Sequence, residues 1–183
     1  MAPVLVATLG GSTSNSYVDL AFADAYAENV QWGATWLALT EDARKLALIT
    51  STTWLETLEW PGKRCTPATD DEDLAQRLAW PRSDVTCDGV KAACTAIPYE
   101  VQTATVELAY QFSQDPNLML DSTGGKDAQV RRQKLDVLEV EYFENASSSG
   151  NKGGDLFSQV PWLKNWLGCW AGGQPGQFRV YRN

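Results

Sequence analysis

Apolar residues recur at helical spacing in three stretches of the first two-thirds of the chain. In residues 20–29, Phe22, Ala25 and Tyr26 fall at i, i+3 and i+4 behind Asp19, a residue suited to cap the first turn. A longer stripe follows Thr40 and comprises Ala43, Leu46, Ala47, Thr50, Trp54 and Leu58. Glu41 and Asp42 lie in its first turn, where the helix dipole favours negative charge, and Pro61-Gly62 stops it. The third helix is expected from Pro98, tolerated at a first helical position, to Gln114, with Val101, Ala104, Leu108, Ala109 and Phe112 on one face. Between these, Thr69-Asp70-Asp71-Glu72 matches a capping box and introduces a short helical piece carrying Leu74 and Leu78, which Trp80-Pro81-Arg82 breaks. Residues 83–95 read as an irregular loop. From residue 135 to 143 the period changes to two: Leu138, Val140 and Tyr142 alternate with Glu139 and Glu141, the pattern of a strand with one solvated face. A strand needs a partner for its backbone groups, so either residues 4–9 or a strand from a neighbouring subunit is expected beside it. The fold class predicted is mainly α: a small helical bundle with a short β element and an extended C-terminal arm.

The pattern then changes character. Residues 145–160 open with Asn145-Ala146-Ser147-Ser148-Ser149-Gly150 and read as a flexible Gly/Ser-rich spacer. Residues 161–183 form a Trp-rich arm, leaving residues 1–144 as the helical domain. In the arm, Pro161 leads Trp162, Trp166 and Trp170, whose spacing of four places them along one stripe of a short helix. Phe178, Arg179, Tyr181 and Arg182 come after them. Trp, Tyr and Arg dominate interface hot spots, and such a stripe either folds back on its own domain or docks in a partner's groove. The spacer favours the partner, so these eight residues are the candidate partner-binding arm.

Charge narrows the function. Fifteen basic and twenty-three acidic side chains give a net charge of −8 in 183 residues, and there is no histidine. Nucleic-acid affinity comes mainly from Lys and Arg displacing counterions, so tight free-standing DNA binding is disfavoured. Without histidine, the commonest neutral-pH general base and transition-metal ligand are both missing. We expect no catalytic residues, no cofactor and no metal site. The acidic run Asp70, Asp71, Glu72 and Asp73 is explained by capping and the helix dipole rather than by metal binding. Gly124-Gly125-Lys126 lacks the first glycine and the Ser/Thr of a phosphate loop. Lys126, Arg131, Arg132 and Lys134 are the only basic concentration, a solvated face or a candidate surface toward DNA or an acidic partner. Trp32, Trp36, Trp54, Trp60 and Trp80, at helical spacing in an acidic domain, read as core rather than base-stacking platforms.

Cys65, Cys87, Cys94 and Cys169 include no Cys-x-x-Cys pair and therefore no zinc spacing. Cys87 and Cys94 bracket a glycine-containing loop, but reduced, partly buried thiols in a cytoplasmic protein are the expectation. The apolar run at residues 4–9 lacks a basic leading region and a cleavage site, so no signal peptide and no membrane partner are expected.

Several of these segments, taken in order, resemble one family. They are Asn15-Ser16-Tyr17-Val18-Asp19 leading to Ala23-Asp24-Ala25-Tyr26, the helix ending in Trp60-Pro61-Gly62-Lys63-Arg64, then Leu78-Ala79-Trp80-Pro81-Arg82, Ile97-Pro98-Tyr99-Glu100-Val101 and Glu139-Val140-Glu141-Tyr142. Their order resembles that in the head-to-tail connector (adaptor) proteins of tailed bacteriophages, many relatives of which carry the label DnaT-like single-stranded-DNA-binding protein. The resemblance implies a non-enzymatic structural virion protein in the neck between capsid and tail, assembled in the host cytoplasm. It implies a homo-oligomeric ring, commonly of twelve copies, under the portal protein. Such a ring extends the channel for passing double-stranded DNA without specific binding and presents a platform to a downstream tail or nozzle protein. The C-terminal arm would reach the portal. The alternative is a single-stranded-DNA-binding replication protein.

Overall fold

The computed structural model describes residues 2–66, 75–118, 132–135, 138–141 and 154–171. Within them the chain is mostly helical, with three two-stranded antiparallel ladders. The elements run α1 (Leu20–Ala27), α2 (Gly33–Leu37), α3 (Glu41–Leu55), β1 (Lys63–Arg64), β2 (Arg82–Ser83), β3 (Thr86–Cys87), β4 (Val90–Lys91) and α4 (Tyr99–Gln114). They continue with β5 (Arg132–Leu135), β6 (Leu138–Glu141), α5 (Gly154–Gln159), α6 (Pro161–Leu167) and a 3-10 turn at Gly168–Trp170.

The helix starts are those expected from side-chain capping. The Asp19 carboxylate accepts from the Phe22 amide at 2.8 Å, and the Thr40 hydroxyl oxygen accepts from the Ala43 amide at 3.2 Å. Pro98 stands one residue earlier than expected, at the cap position before Tyr99. Helices α1 and α2 meet so closely at Gly33 that a Cβ there would lie 1.6 Å from the Ala27 carbonyl oxygen, so only glycine fits.

Helix α4 is the axis of the molecule because it is buried on two sides. Val101, Ala104, Leu108 and Phe112 pack into one core with Tyr17, Leu55, Leu58, Trp80 and residues of α5 and α6. Val106 and Ala109 pack into a second with Val18, Ala23, Ala27, Trp36, Ala47 and Leu48. The interior threonines of α4 return their hydroxyls to the helix: Thr105 donates to the Val101 carbonyl at 2.8 Å and Thr103 to the Tyr99 carbonyl at 2.9 Å. Polar ties join the elements around the second core. Asp24 accepts from the Trp36 indole at 2.9 Å and pairs with Arg44 at 2.6 Å. Glu107 accepts from the Tyr26 hydroxyl at 2.7 Å and the Trp32 indole at 3.2 Å.

Helix α3 follows the sequence expectation only in part: Ala47, Trp54 and Leu58 of its apolar stripe join the cores, but the rest of the stripe does not. Its buried residues are Ala47, Leu48, Ser51, Thr52 and Leu55, while Ala43 is exposed and Leu46 is 58% exposed. The face turned to α4 is thus rotated from the apolar stripe, because small and hydroxylic side chains allow the two helices to pack. Ser51 and Thr52 satisfy themselves by donating to the Leu48 carbonyl, each at 2.9 Å.

Two further expectations change. Residues 83–95 are not an irregular loop throughout: Thr86–Cys87 pairs with Val90–Lys91 around Asp88 and Gly89, both with positive φ, in a tight hairpin. Strand β6 pairs not with residues 4–9 but with the adjacent β5, Gln133 facing Val140 in register. A local hairpin costs the least chain entropy to close, which is why it prevails. Residues 4–6 find their partner instead in Asn15, whose side chain donates to the Val4 carbonyl and accepts from the Val6 amide, both at 2.8 Å. The capping box at residues 69–72 lies outside the described residues.

Candidate functional site

Two WP dipeptides converge on one arginine. Arg82, only 9% exposed, donates from Nε to the Pro61 carbonyl at 2.6 Å. Its Nη2 donates to the Trp60 and Gly62 carbonyls at 3.0 and 2.7 Å, and its Nη1 to the Ala79 carbonyl at 3.2 Å. A planar guanidinium thereby replaces the hydrogen bonds that this turn, ending at β1, cannot make to itself. Burial lowers the pKa of Arg82, with the Arg64 charge a further cause. Gly62 has φ +76°, and a Cβ there would sit 2.2 Å from the Ser83 carbonyl oxygen, so the turn also requires that glycine. Beside it, Glu56 accepts from the Ala79 amide at 2.9 Å and from the Tyr17 hydroxyl. Burial first, and the Glu56 charge second, push the Tyr17 phenol well above its ordinary pKa. Tyr26 is raised in the same way, by burial and then by its bond to Glu107. Sequence reasoning did not single out Tyr17, Glu56 or Arg82 as a group. A buried arginine holding four main-chain carbonyls is a scaffold for a turn.

The internal tryptophans are core, as expected. Trp36 and Trp80 are fully buried, and Trp32, Trp54 and Trp60 are partly buried against the two cores. Trp32 stacks on Tyr110 with centroids 4.3 Å apart.

The described part of the arm is not free of the domain. Helices α5 and α6 form a hairpin whose Leu156, Val160, Leu163 and Leu167 are buried in the α4 core together with Trp170 and Ala171. Residues 154–159, read from sequence as spacer, are thus helix. The three arm tryptophans have three different fates. Trp170 is 5% exposed and meets Trp80 edge to face. Trp162 is partly buried and contacts Trp166 edge to face at 5.6 Å. Trp166 is 39% exposed, and its indole donates to the Thr103 hydroxyl at 2.9 Å. Pro161 is exposed and opens α6 at its first turn. Phe178, Arg179, Tyr181 and Arg182 lie outside the described residues, as do the rest of the spacer, Lys126, Arg131 and the Asp70–Asp73 run. Arg132 and Lys134 fall in β5, in register with Glu141 and Glu139 respectively.

The cysteines also correct the sequence reading. They are not thiols: Cys65 is bonded to Cys94, and Cys87 to Cys169, with Cα atoms 5.5 and 5.3 Å apart. Cys87 and Cys94 do not pair with each other, because the β3–β4 hairpin presents Cys87 to the 3-10 turn beyond α6. The sulfurs of Cys87 and Cys169 lie near the Asp88 carboxylate, yet a disulfide offers no thiolate to a metal.

Among the described residues, apolar clefts lie on the surface at opposite ends of α4. One, of about 260 Å³, is lined by Leu39, Ala43, Leu46, Thr50, Phe112 and Pro116, and so contains Ala43, Leu46 and Thr50, the part of the α3 stripe left out of the two cores. The other, of about 300 Å³, is lined by Val90, Ala93, Ile97, Tyr99 and Trp170, with Asp88, Lys91 and Glu100 among its polar groups. From Tyr99 to Phe112 the helix advances about 20 Å, so the clefts are separate surfaces. Among the described residues no helix is long and apolar enough to cross a membrane.

These features define a mainly helical, disulfide-stapled module that, among the described residues, carries apolar clefts at both ends of α4. Residues 3–183 match the model of the family described as "Putative DnaT-like ssDNA binding protein", and the chain belongs to that family. No curated protein and no solved structure matches it.

Proposed function

We propose that this chain is a non-enzymatic structural protein of a bacteriophage virion, forming a ring under the portal that carries the DNA channel from capsid to tail. The observation that carries the reading is the α3 stripe. Ala43, Leu46 and Thr50 are an apolar helix face with Leu46 58% exposed, left uncovered at the edge of a cleft. A subunit that buries its other helices well and leaves such a face open is built to be covered by another protein. The occupant is a second copy. Pairing of the stripe with a different surface of the next subunit is the head-to-tail geometry that closes into a ring. The resemblance to adaptor proteins supports the same arrangement, with about twelve copies, a portal on one side and a tail or nozzle protein on the other. A net charge of −8 suits a wall past which double-stranded DNA slides without being held.

Native mass spectrometry and negative-stain imaging with the portal ring of the same phage test this. The wild-type chain adds ring density beneath the portal, and Leu46→Glu stays monomeric while remaining folded. A bare portal, or an unchanged assembly of the Leu46→Glu chain, refutes the assignment. Removal of the arm is informative only beyond Ala171, because residues 156–171 contribute to the core.

The family description favours a second reading, single-stranded-DNA binding. The inward-facing tryptophans count against stacking platforms in the described part of the chain. Labelled oligonucleotide at low salt decides the matter: binding that weakens steeply as salt rises supports this reading, and no shift at micromolar protein disposes of it.

A further inference from the structure

The main chain of residues 4–8 is satisfied along one edge. Asn15 holds Val4 and Val6 with its side chain, and its own amide donates to the Val6 carbonyl at 2.8 Å. The Ser16 amide donates to the same carbonyl at 3.2 Å, and the Gly11 amide to the Thr8 carbonyl at 3.0 Å. All these bonds go to Val4, Val6 and Thr8, the alternation of an extended strand with one edge against the turn at residues 11–16. The main-chain groups of Leu5 and Ala7 point the other way, and among the described residues they meet no hydrogen-bond partner. Side chains alternate at right angles to this. Leu5 packs against the second core, which leaves Val4 and Val6 on the outer face, and Val4 is 71% exposed.

An open edge is a template for another strand, and folded proteins usually blunt it with a charge or a proline. Neither stands between Val4 and Leu9, and residues 2–18 carry no charged side chain at all. Two chains of net charge −8 repel one another least along such a segment, so it is where a second copy can come closest.

We propose that residues 4–8 pair antiparallel with the same residues of a second copy, about a two-fold axis at Val6. The register follows from which groups lack a partner. Leu5 of each chain exchanges its main-chain bonds with Ala7 of the other, and Val6 faces Val6. Val4 then lies opposite Thr8, so the cross-strand pairs on the outer face are all β-branched, the side chains that pack best on a pleated surface. A single pair of short strands is smaller than a stable interface, so the dimer exchanges with monomer. The contact closes on itself and uses none of Ala43, Leu46 or Thr50, and is thus separate from the head-to-tail contact proposed for the ring.

The test places one cysteine on this edge of the full chain, both alone and together with Leu46→Glu. The four native cysteines are all in disulfides, so the added thiol is the one that reports. On mild oxidation Val6→Cys is expected to give about tenfold more covalent dimer than Val4→Cys, because directly opposed residues are within bridging distance. An equal mixture of Val4→Cys and Thr8→Cys chains gives the mixed dimer. Ala7→Pro, added to Val6→Cys, removes an unpaired donor and abolishes the cross-link with the melting temperature unchanged. Equal yields from Val6→Cys and Val4→Cys, or a cross-link that survives Ala7→Pro, overturn the pairing. If Ala7→Pro unfolds the chain, the comparison of cysteine positions decides alone. A cross-link that vanishes with Leu46→Glu overturns the contact as a separate surface, and one that persists upholds it whether or not the ring forms.

Discussion

Trp80 and Trp170 meet edge to face with ring centroids 5.8 Å apart, one from the turn before β2 and the other from the last described turn of the chain. Trp80 meets Trp60 in the same way on its other side, at 5.7 Å. This row joins the two WP dipeptides to the C-terminal helical hairpin, so the hairpin completes the core.

Truncation at the arm tryptophans should therefore separate them. Trp170→Ala removes a buried ring and is expected to cost about 3–5 kcal/mol by chemical denaturation. Trp166→Ala removes a part-exposed ring and one hydrogen bond to Thr103, with a cost nearer about 1 kcal/mol. Equal losses for the two variants would mean that α6 packs with a different face.

Arg82 offers a sharper test of the turn. Arg82→Ala leaves the carbonyls of Trp60, Pro61, Gly62 and Ala79 without their donor and should cost about 3 kcal/mol or more. Arg82→Lys should recover little of that, because an ammonium cannot reproduce the planar fork. Full stability of the lysine variant in urea unfolding would show that the charge matters and the geometry does not.

Much of the helical framework was readable in the sequence because its signals are local. Asp19, Thr40 and Pro98 mark starts by their own chemistry, and the α4 stripe of Val101, Ala104, Leu108, Ala109 and Phe112 is the buried one. What failed depended on which of two surfaces another element chose. Helix α3 is apolar on one face and small and hydroxylic on another, and only the packing of α4 decides between them. Disulfide partners could not be read from spacing, since Cys87 meets Cys169 only after the β3–β4 hairpin has formed. The C-terminal hairpin carries its own local signal. Leu156, Val160, Leu163 and Leu167 fall at i, i+4, i+7 and i+11, an amphipathic helical signal as strong as the tryptophan spacing, although a Gly/Ser stretch with no such period precedes it.

Alkaline pH should weaken the domain through Tyr17. Its phenol is held neutral in the fold, with a pKa raised by burial and by Glu56, whereas in the unfolded chain it ionises near 10. The stabilisation is therefore fully present below about pH 10 and is lost as pH rises from there toward the folded value, at up to roughly 1.4 kcal/mol per pH unit. Melting temperatures at pH 9 to 11 should fall more steeply for the wild type than for Tyr17→Phe. Parallel slopes would remove Tyr17 from the explanation.

The disulfides should stabilise the fold without being what holds the arm in place. Closing loops with sequence separations of 29 and 82 restricts the unfolded chain, by about 3.6 and about 4.5 kcal/mol respectively in the loop-entropy account. The two share the segment between Cys87 and Cys94, so their effects add to less than that sum. Reduction should lower the melting temperature by roughly 10 °C or more for a chain of this size. Yet Leu156, Val160, Leu163, Leu167 and Trp170 remain buried against α4, and burying that many large apolar side chains is worth about as much again. The reduced protein at 25 °C should therefore keep the fluorescence of a buried Trp170 and the hydrogen-exchange protection of α6. Thiol titration of the unfolded, unreduced chain should find no free cysteine. Four free thiols would contradict the pairing itself, and loss of α6 protection on reduction alone would show that the Cys87–Cys169 bond, rather than packing, keeps the hairpin on the domain.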